Sequence, residues 1–189
     1  MPEPAPRTPL LRLALVFYAA LLGAAVVWAR LADRPLLFAS AEAAARGVEP
    51  MRDAAAGALV GLVVVLLSGW LTRATRVGDR LARALAQLIG RRTTAECVAL
   101  ALVSGVGEEA FFRGAMQPQL GLVATSVCFA LAHLAPRRDL WPWSLFALAV
   151  GLGLGLLFEW TGNLVAPVVA HVLVNGVNLR LLSRDYAPA

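Results

Sequence analysis

The chain has 189 residues, 59% of them hydrophobic, a net charge of +5 and a mean hydropathy of +0.71. A soluble domain is about 45–50% apolar, so this balance excludes an ordinary soluble fold and indicates a polytopic helical membrane protein. All 17 basic residues are arginines, most of them gathered at the ends of apolar runs, where they set membrane orientation; the lipid bilayer, not nucleic acid, is the expected partner.

Residues 1–9 are polar and proline-rich and are expected to form a disordered tail. The apolar run 13–29 follows, with Arg12 at its entrance. It has the charged start and small-residue end of a signal peptide but exceeds the usual core of about 7–15 residues, and it reads as the first span. Residues 30–53 hold four arginines against four acids, with Pro35, Gly47 and Pro50: an irregular connection with a short interfacial helix near 39–46. The second span is 54–71, where Gly57 and Gly61 make a small-xxx-small face for a close helix neighbour. Residues 72–94 carry six arginines against the single acid Asp79, and Leu81, Leu85 and Leu88 recur at helical spacing. This is the pattern of an amphipathic helix on the cytoplasmic surface.

The third span is expected at 95–114, and Pro118 closes it. The fourth covers 121–135, short for a bilayer that takes about 20 residues. The fifth covers 143–160, with Gly151, Gly153 and Gly155 as a close-packing face and Trp141, Trp143 and Trp160 at interfacial positions. The sixth covers 164–182. The expected fold is therefore all-α: one membrane domain over 1–189 with about six transmembrane helices. The positive-inside rule puts both termini in the cytoplasm. Cys97 and Cys128 lie in apolar runs and read as small buried hydrophobes.

Inside the third span stand Glu108, Glu109 and Arg113. Each ionisable group at membrane depth costs at least about 2.5–3.5 kcal/mol, so the default reading of such a cluster is a functional site. Glu109 and Arg113 are four residues apart and share a helix face, where they can pair. Glu108 is turned by roughly 100° from Glu109 and is expected to face a cavity. The chain's two histidines, His133 and His171, also lie in apolar runs. Phe129 precedes His133 by four residues and Asn175 follows His171 by four, so each pair shares a face.

Other intramembrane chemistries fit the sequence poorly. A zinc protease of the His-Glu-x-x-His type needs a His-Glu pair, and the chain has none. An aspartyl dyad needs aspartates within the spans, and these lie outside them. Ser104-Gly105 offers a nucleophile, but Leu102 stands where rhomboid-type serine proteases carry glycine.

Glu108-Glu109-x-x-x-Arg113, Phe129-x-x-x-His133 and His171-x-x-x-Asn175, the last preceded by Thr161-Gly162-Asn163-Leu164 and Pro167, resemble in order and spacing the motifs of the CPBP family. That family includes CAAX prenyl endopeptidases, bacteriocin-processing and self-immunity proteins, and abortive-infection proteins. The resemblance covers about 95–180 and makes 95–182 the expected catalytic core, with 10–94 supplying two spans and the surface helix. It implies an intramembrane endopeptidase, and the small size and arginine-only basic composition point to the bacterial inner (plasma) membrane. Glu108 would activate water, His133 would hold or polarise it, and His171 and Asn175 would stabilise the oxyanion. Glu109, Arg113 and Phe129 would support them. No cofactor is expected; the rival is a zinc held by Glu108, His133 and His171 with an open position for water. A noncatalytic immunity or scaffold protein, or a proton- or cation-binding cavity, is the alternative of a different class. The implied substrate is a membrane protein or lipidated peptide cut near its C-terminus; a C-terminal sorting tail, as in myxosortase-like members, fits a six-span bacterial protein better than a prenylated CAAX tail.

Overall fold

The computed structural model describes residues 8–188; the tail expected over 1–9 falls largely outside them, and the first helix already begins at Thr8. The fold is all-α. In chain order it comprises α1 (Thr8–Leu31), a short α2 (Ala41–Arg46), α3 (Pro50–Ala74), α4 (Arg76–Ile89), α5 (Thr94–Glu109), a π-helical segment (Ala110–Met116), α6 (Gln117–Ala132), a 3-10 turn (Arg138–Leu140), α7 (Trp141–Thr161), α8 (Val165–Leu181) and a terminal π-helical segment (Leu182–Tyr186).

Local chemistry starts several of these helices. The Ser40 hydroxyl accepts from Ala43 N–H at the head of α2, and Thr75 does the same for Gly78 at the head of α4. Thr93 and Glu96 form a reciprocal capping box at α5, satisfying two of the donors a helix start leaves free.

Among the described residues, five helices are long and apolar enough to cross a membrane: Leu10–Leu31, Pro50–Ala74, Thr94–Ala132, Arg138–Thr161 and Val165–Tyr186. They mark an integral membrane protein. Leu13, Val16 and Phe17 on α1, and Leu59, Leu66 and Trp70 on α3, are exposed, the pattern of lipid-facing surfaces.

The run Thr94–Ala132 contains both the third and fourth expected spans, and it is not straight. Gly121 has φ 80° and ψ 168°, a non-helical conformation inside α6 that glycine adopts without the Cβ penalty. On a straight helix residues 108 and 133 would lie about 37 Å apart, yet His133 Nε2 is 3.7 Å from Glu108 Oε2. The chain therefore doubles back at Gly121, and the two expected spans are limbs of one hairpin.

Small residues bring the other helices together. A Cβ on Gly57 would lie 2.3 Å from the Ala166 carbonyl oxygen, and one on Gly61 3.0 Å from that of Ala170, so α3 and α8 touch backbone to backbone. In α7, Gly151 and Gly155 face α6, where a Cβ would meet Phe129 and Leu122 respectively, whereas Gly153 faces open space; only alternate members of that expected face pack. On α4 the packed residues are Ala82, Ala84 and Ala86, while Leu88 is exposed. Close approach selects the alanines, so the leucine spacing marks only part of the packed face.

The connections sort to two ends. At one, Arg92 N–H donates to Ser183 Oγ at 2.6 Å, Arg91 reaches the Pro188 carbonyl, and α4 packs on the turn Arg138–Leu140. At the other, Ala39 N–H donates to Gly162 O, Leu164 N–H to Leu37 O, and Asn163 Nδ2 to the buried Asp53 at 2.7 Å. The arginine-rich segments thus share one end of the bundle.

Candidate active site

The site is held by three helices and one cap. α5 and α8 run antiparallel, since Ser104 meets Asn175 while Glu109 meets His171. Glycine permits their close approach: a Cβ on Gly105 would lie 2.7 Å from Val172 Cγ2. Helical spacing of four then turns Ser104 and Glu108 on α5 toward Asn175 and His171 on α8. The π-helical segment begins directly after Glu109; such local widenings recur at functional sites.

Glu109 is fully buried and anchors two partners through one oxygen. Its Oε1 accepts from Arg113 Nη1 at 3.0 Å and bonds His171 Nδ1 at 2.6 Å. Arg113, itself 1% exposed, also donates to the Gly151 carbonyl at 3.1 Å and stacks 4.5 Å from the Phe129 ring centre. Three helical segments thereby share one guanidinium, and its charge offsets one of the two adjacent carboxylates.

His133 was expected inside the fourth span but stands at the C-cap of α6, with φ −95° and ψ 3°. The physical reason is local. The last carbonyls of a helix lack intrahelical donors, and His133 Nδ1 meets the Phe129 carbonyl at 2.8 Å. A carbonyl only accepts, so Nδ1 carries the proton and, in the neutral ring, Nε2 presents a lone pair. His133 Nε2 lies 3.7 Å from Glu108 Oε2, and His171 Nε2 lies 3.9 Å from the same oxygen. Glu108 is 7% exposed, and its Oε2 has no hydrogen-bond partner among the described residues. A buried polar oxygen without a partner costs roughly 1–3 kcal/mol; here it sits where two imidazole nitrogens converge. Beside them is a cavity of about 50 Å³ lined by Phe129, His133, Trp143, His171 and Asn175, among others. This is room enough for water, which needs at least about 10–15 Å³ of such space.

The structure brings together the candidate site residues Glu108, Glu109, Arg113, Phe129, His133, His171 and Asn175, whereas Asn163 of the segment 161–164 pairs with Asp53 at one end of the bundle. It also adds residues that the motifs did not mark. The Tyr18 hydroxyl of α1 is directed to Glu108, and its Cβ would be 3.2 Å from a Cβ on Gly107. Ser104 Oγ accepts from Asn175 Nδ2 at 2.9 Å, and the Gly151 carbonyl takes Arg113. Of these, the sequence marked Ser104 as a candidate nucleophile and Gly151 as part of a close-packing face, while Tyr18 carried no local signal.

As to metal, tetrahedral zinc with ligands at about 2.1 Å sets them about 3.4 Å apart. The 3.7 and 3.9 Å separations around Glu108 are wider, and the described residues contain no group of three or more His, Cys, Asp or Glu side chains that could hold a metal ion.

A helical membrane bundle with a buried Glu–His–Arg cluster at the meeting of α5, α6 and α8 is the class of protein that these observations define. Comparison with known proteins refines it. Residues 91–177 match the model of the family described as type II CAAX prenyl endopeptidase Rce1-like. The chain is also similar to a Bacillus subtilis (strain 168) protein described as uncharacterized protein YpbD, with 37% identity over 93 residues, 48% of this chain and 48% of the relative. The match thus spans about half the length of that curated relative. No solved structure matches the chain significantly. The matched segment contains all three motifs and excludes α1, α2, α3 and α4.

Proposed function

We propose that this protein is an intramembrane endopeptidase of the bacterial inner (plasma) membrane, cutting a membrane-associated or lipid-modified protein near its C-terminus with water activated by Glu108. The observation that carries the reading is the convergence of His133 Nε2 and His171 Nε2, at 3.7 and 3.9 Å, on the otherwise unpartnered Glu108 Oε2. A water among these atoms can give a proton to Glu108 while its oxygen attacks the scissile carbonyl. The new C–O bond leaves charge on the carbonyl oxygen, which the Asn175 amide and a protonated His171 Nε2 would stabilise. Glu108 then returns the proton to the leaving amine as the C–N bond breaks, giving a free carboxylate and a free amine. We take the centre to be water rather than zinc, on the ligand separations above.

The C-terminal cut and the CAAX or sorting-tail substrate rest on the family resemblance. The arginine-rich end formed by α4, the turn Arg138–Leu140 and the terminal segment is assigned to the cytoplasm on the positive-inside rule. The test is cleavage in reconstituted liposomes. Two internally quenched probes are used, a farnesylated CAAX peptide and an unprenylated peptide carrying a membrane anchor, with products identified by mass spectrometry. Glu108→Gln should be inert while remaining folded; wild-type turnover by that variant would refute the mechanism.

A further inference from the structure

Ser104 lies on the Glu108 face of α5 but has no part in the chemistry above. It is 5% exposed, and its hydroxyl approaches the Ala101 carbonyl at 3.3 Å and Asn175 Nδ2 at 2.9 Å. A hydroxyl has one proton. Given to Ala101 O, which can only accept, it leaves the Ser104 oxygen as an acceptor, and Asn175 must then turn its NH₂ group toward Ser104 and not its carbonyl. The amide nitrogen has two hydrogens. One is taken by Ser104 and the other remains for the cavity that Asn175 lines with both histidines. With the amide reversed, the side chain would present a carbonyl oxygen to a developing oxyanion, which repels it.

We infer that Ser104 is a positioning residue that holds the Asn175 carboxamide with an N–H toward the reacting carbonyl. The inference rests on the proposed peptidase reading and deepens it. Ser104 is not the nucleophile: among the described hydrogen bonds its hydroxyl contacts a backbone carbonyl and an amide, and no histidine stands in place as its base.

The experiment is a double-mutant cycle on the full-length protein in liposomes, with the same two quenched peptides as probes. Asn175→Ala should lower kcat by about 10²–10³, and Ser104→Ala by about 5–10-fold with KM little changed, the effect of one neutral hydrogen bond. Ser104→Ala placed on Asn175→Ala should add nothing, because the group it orients is gone. Ser104→Thr keeps the hydroxyl and should recover most of the rate. Melting temperatures of all variants are compared, and Ser104→Thr keeps the test decisive if the alanine variant unfolds. Multiplicative losses in the double variant, or a Ser104→Ala rate equal to wild type, would overturn the inference while leaving the peptidase reading intact. Covalent labelling of Ser104 by a fluorophosphonate, with complete loss in Ser104→Ala, would overturn both by making it the nucleophile. Full turnover by Glu108→Gln would remove the parent reading first.

Discussion

Arg113→Ala tests whether the buried ion pair holds the site together. The guanidinium is 1% exposed and serves Glu109, Gly151 and Phe129. Truncation strands Glu109, whose Oε2 already has no partner among the described residues, with only His171 Nδ1 on its other oxygen. Removing one member of a buried pair costs about 3–5 kcal/mol, and the desolvated cation–π contact with Phe129 is worth up to about 2. These contributions overlap and do not add, so the expected loss is about 4 kcal/mol. For a chain of this length each kcal/mol moves the melting temperature by about 2–4 °C, which predicts a fall of about 10 °C. The assay is thermal unfolding in detergent, read by a thiol-reactive dye; Cys97 is buried and free, and unfolding would expose it. A double variant, Glu109→Leu with Arg113→Met, removes both charges and should recover most of the lost stability. It should stay inactive, because His171 has lost the carboxylate that orients it. A melting temperature within about 2 °C of wild type for Arg113→Ala would refute the pairing argument.

Metal dependence separates the two possible centres. Under the proposed reading, activity survives a strong chelator and elemental analysis finds far less than one zinc per chain; stoichiometric zinc lost together with activity, and restored by zinc, would establish the other centre. The α3–α8 contact predicts that even Gly57→Ala is harmful, since its new Cβ would sit 2.3 Å from a backbone oxygen that cannot rotate away. Loss of about 1–3 kcal/mol from overpacking is expected, seen as a lower melting temperature, whereas Gly153→Ala, which opens on free space, should leave it unchanged.

The sequence by itself determined the features that depend on neighbours along the chain. Apolar runs long enough for a bilayer specify helices because only internally bonded backbone survives in lipid. The pairing of Glu109 with Arg113, and the shared faces of Phe129 with His133 and His171 with Asn175, follow from a four-residue spacing, which a helix converts directly into proximity. Tertiary structure decided what spacing along the chain cannot carry. Pro118 marked a boundary, but the reversal is made by Gly121 at φ 80°, and only that reversal brings residue 133 back to residue 108. His133 is a cap because α6 ends at Ala132, which fixes the ring proton on Nδ1 and turns the other nitrogen to Glu108. The link from Ser104 to Asn175 spans 71 residues and that from Arg113 to Gly151 spans 38. Such contacts arise from the antiparallel register of α5 against α8 and the seating of α7 on α6, and register is set by close packing at Gly105, Gly151 and Gly155. A glycine in the sequence says only that a neighbour can come close; which backbone comes there, and which polar group it brings, is decided when the helices pack.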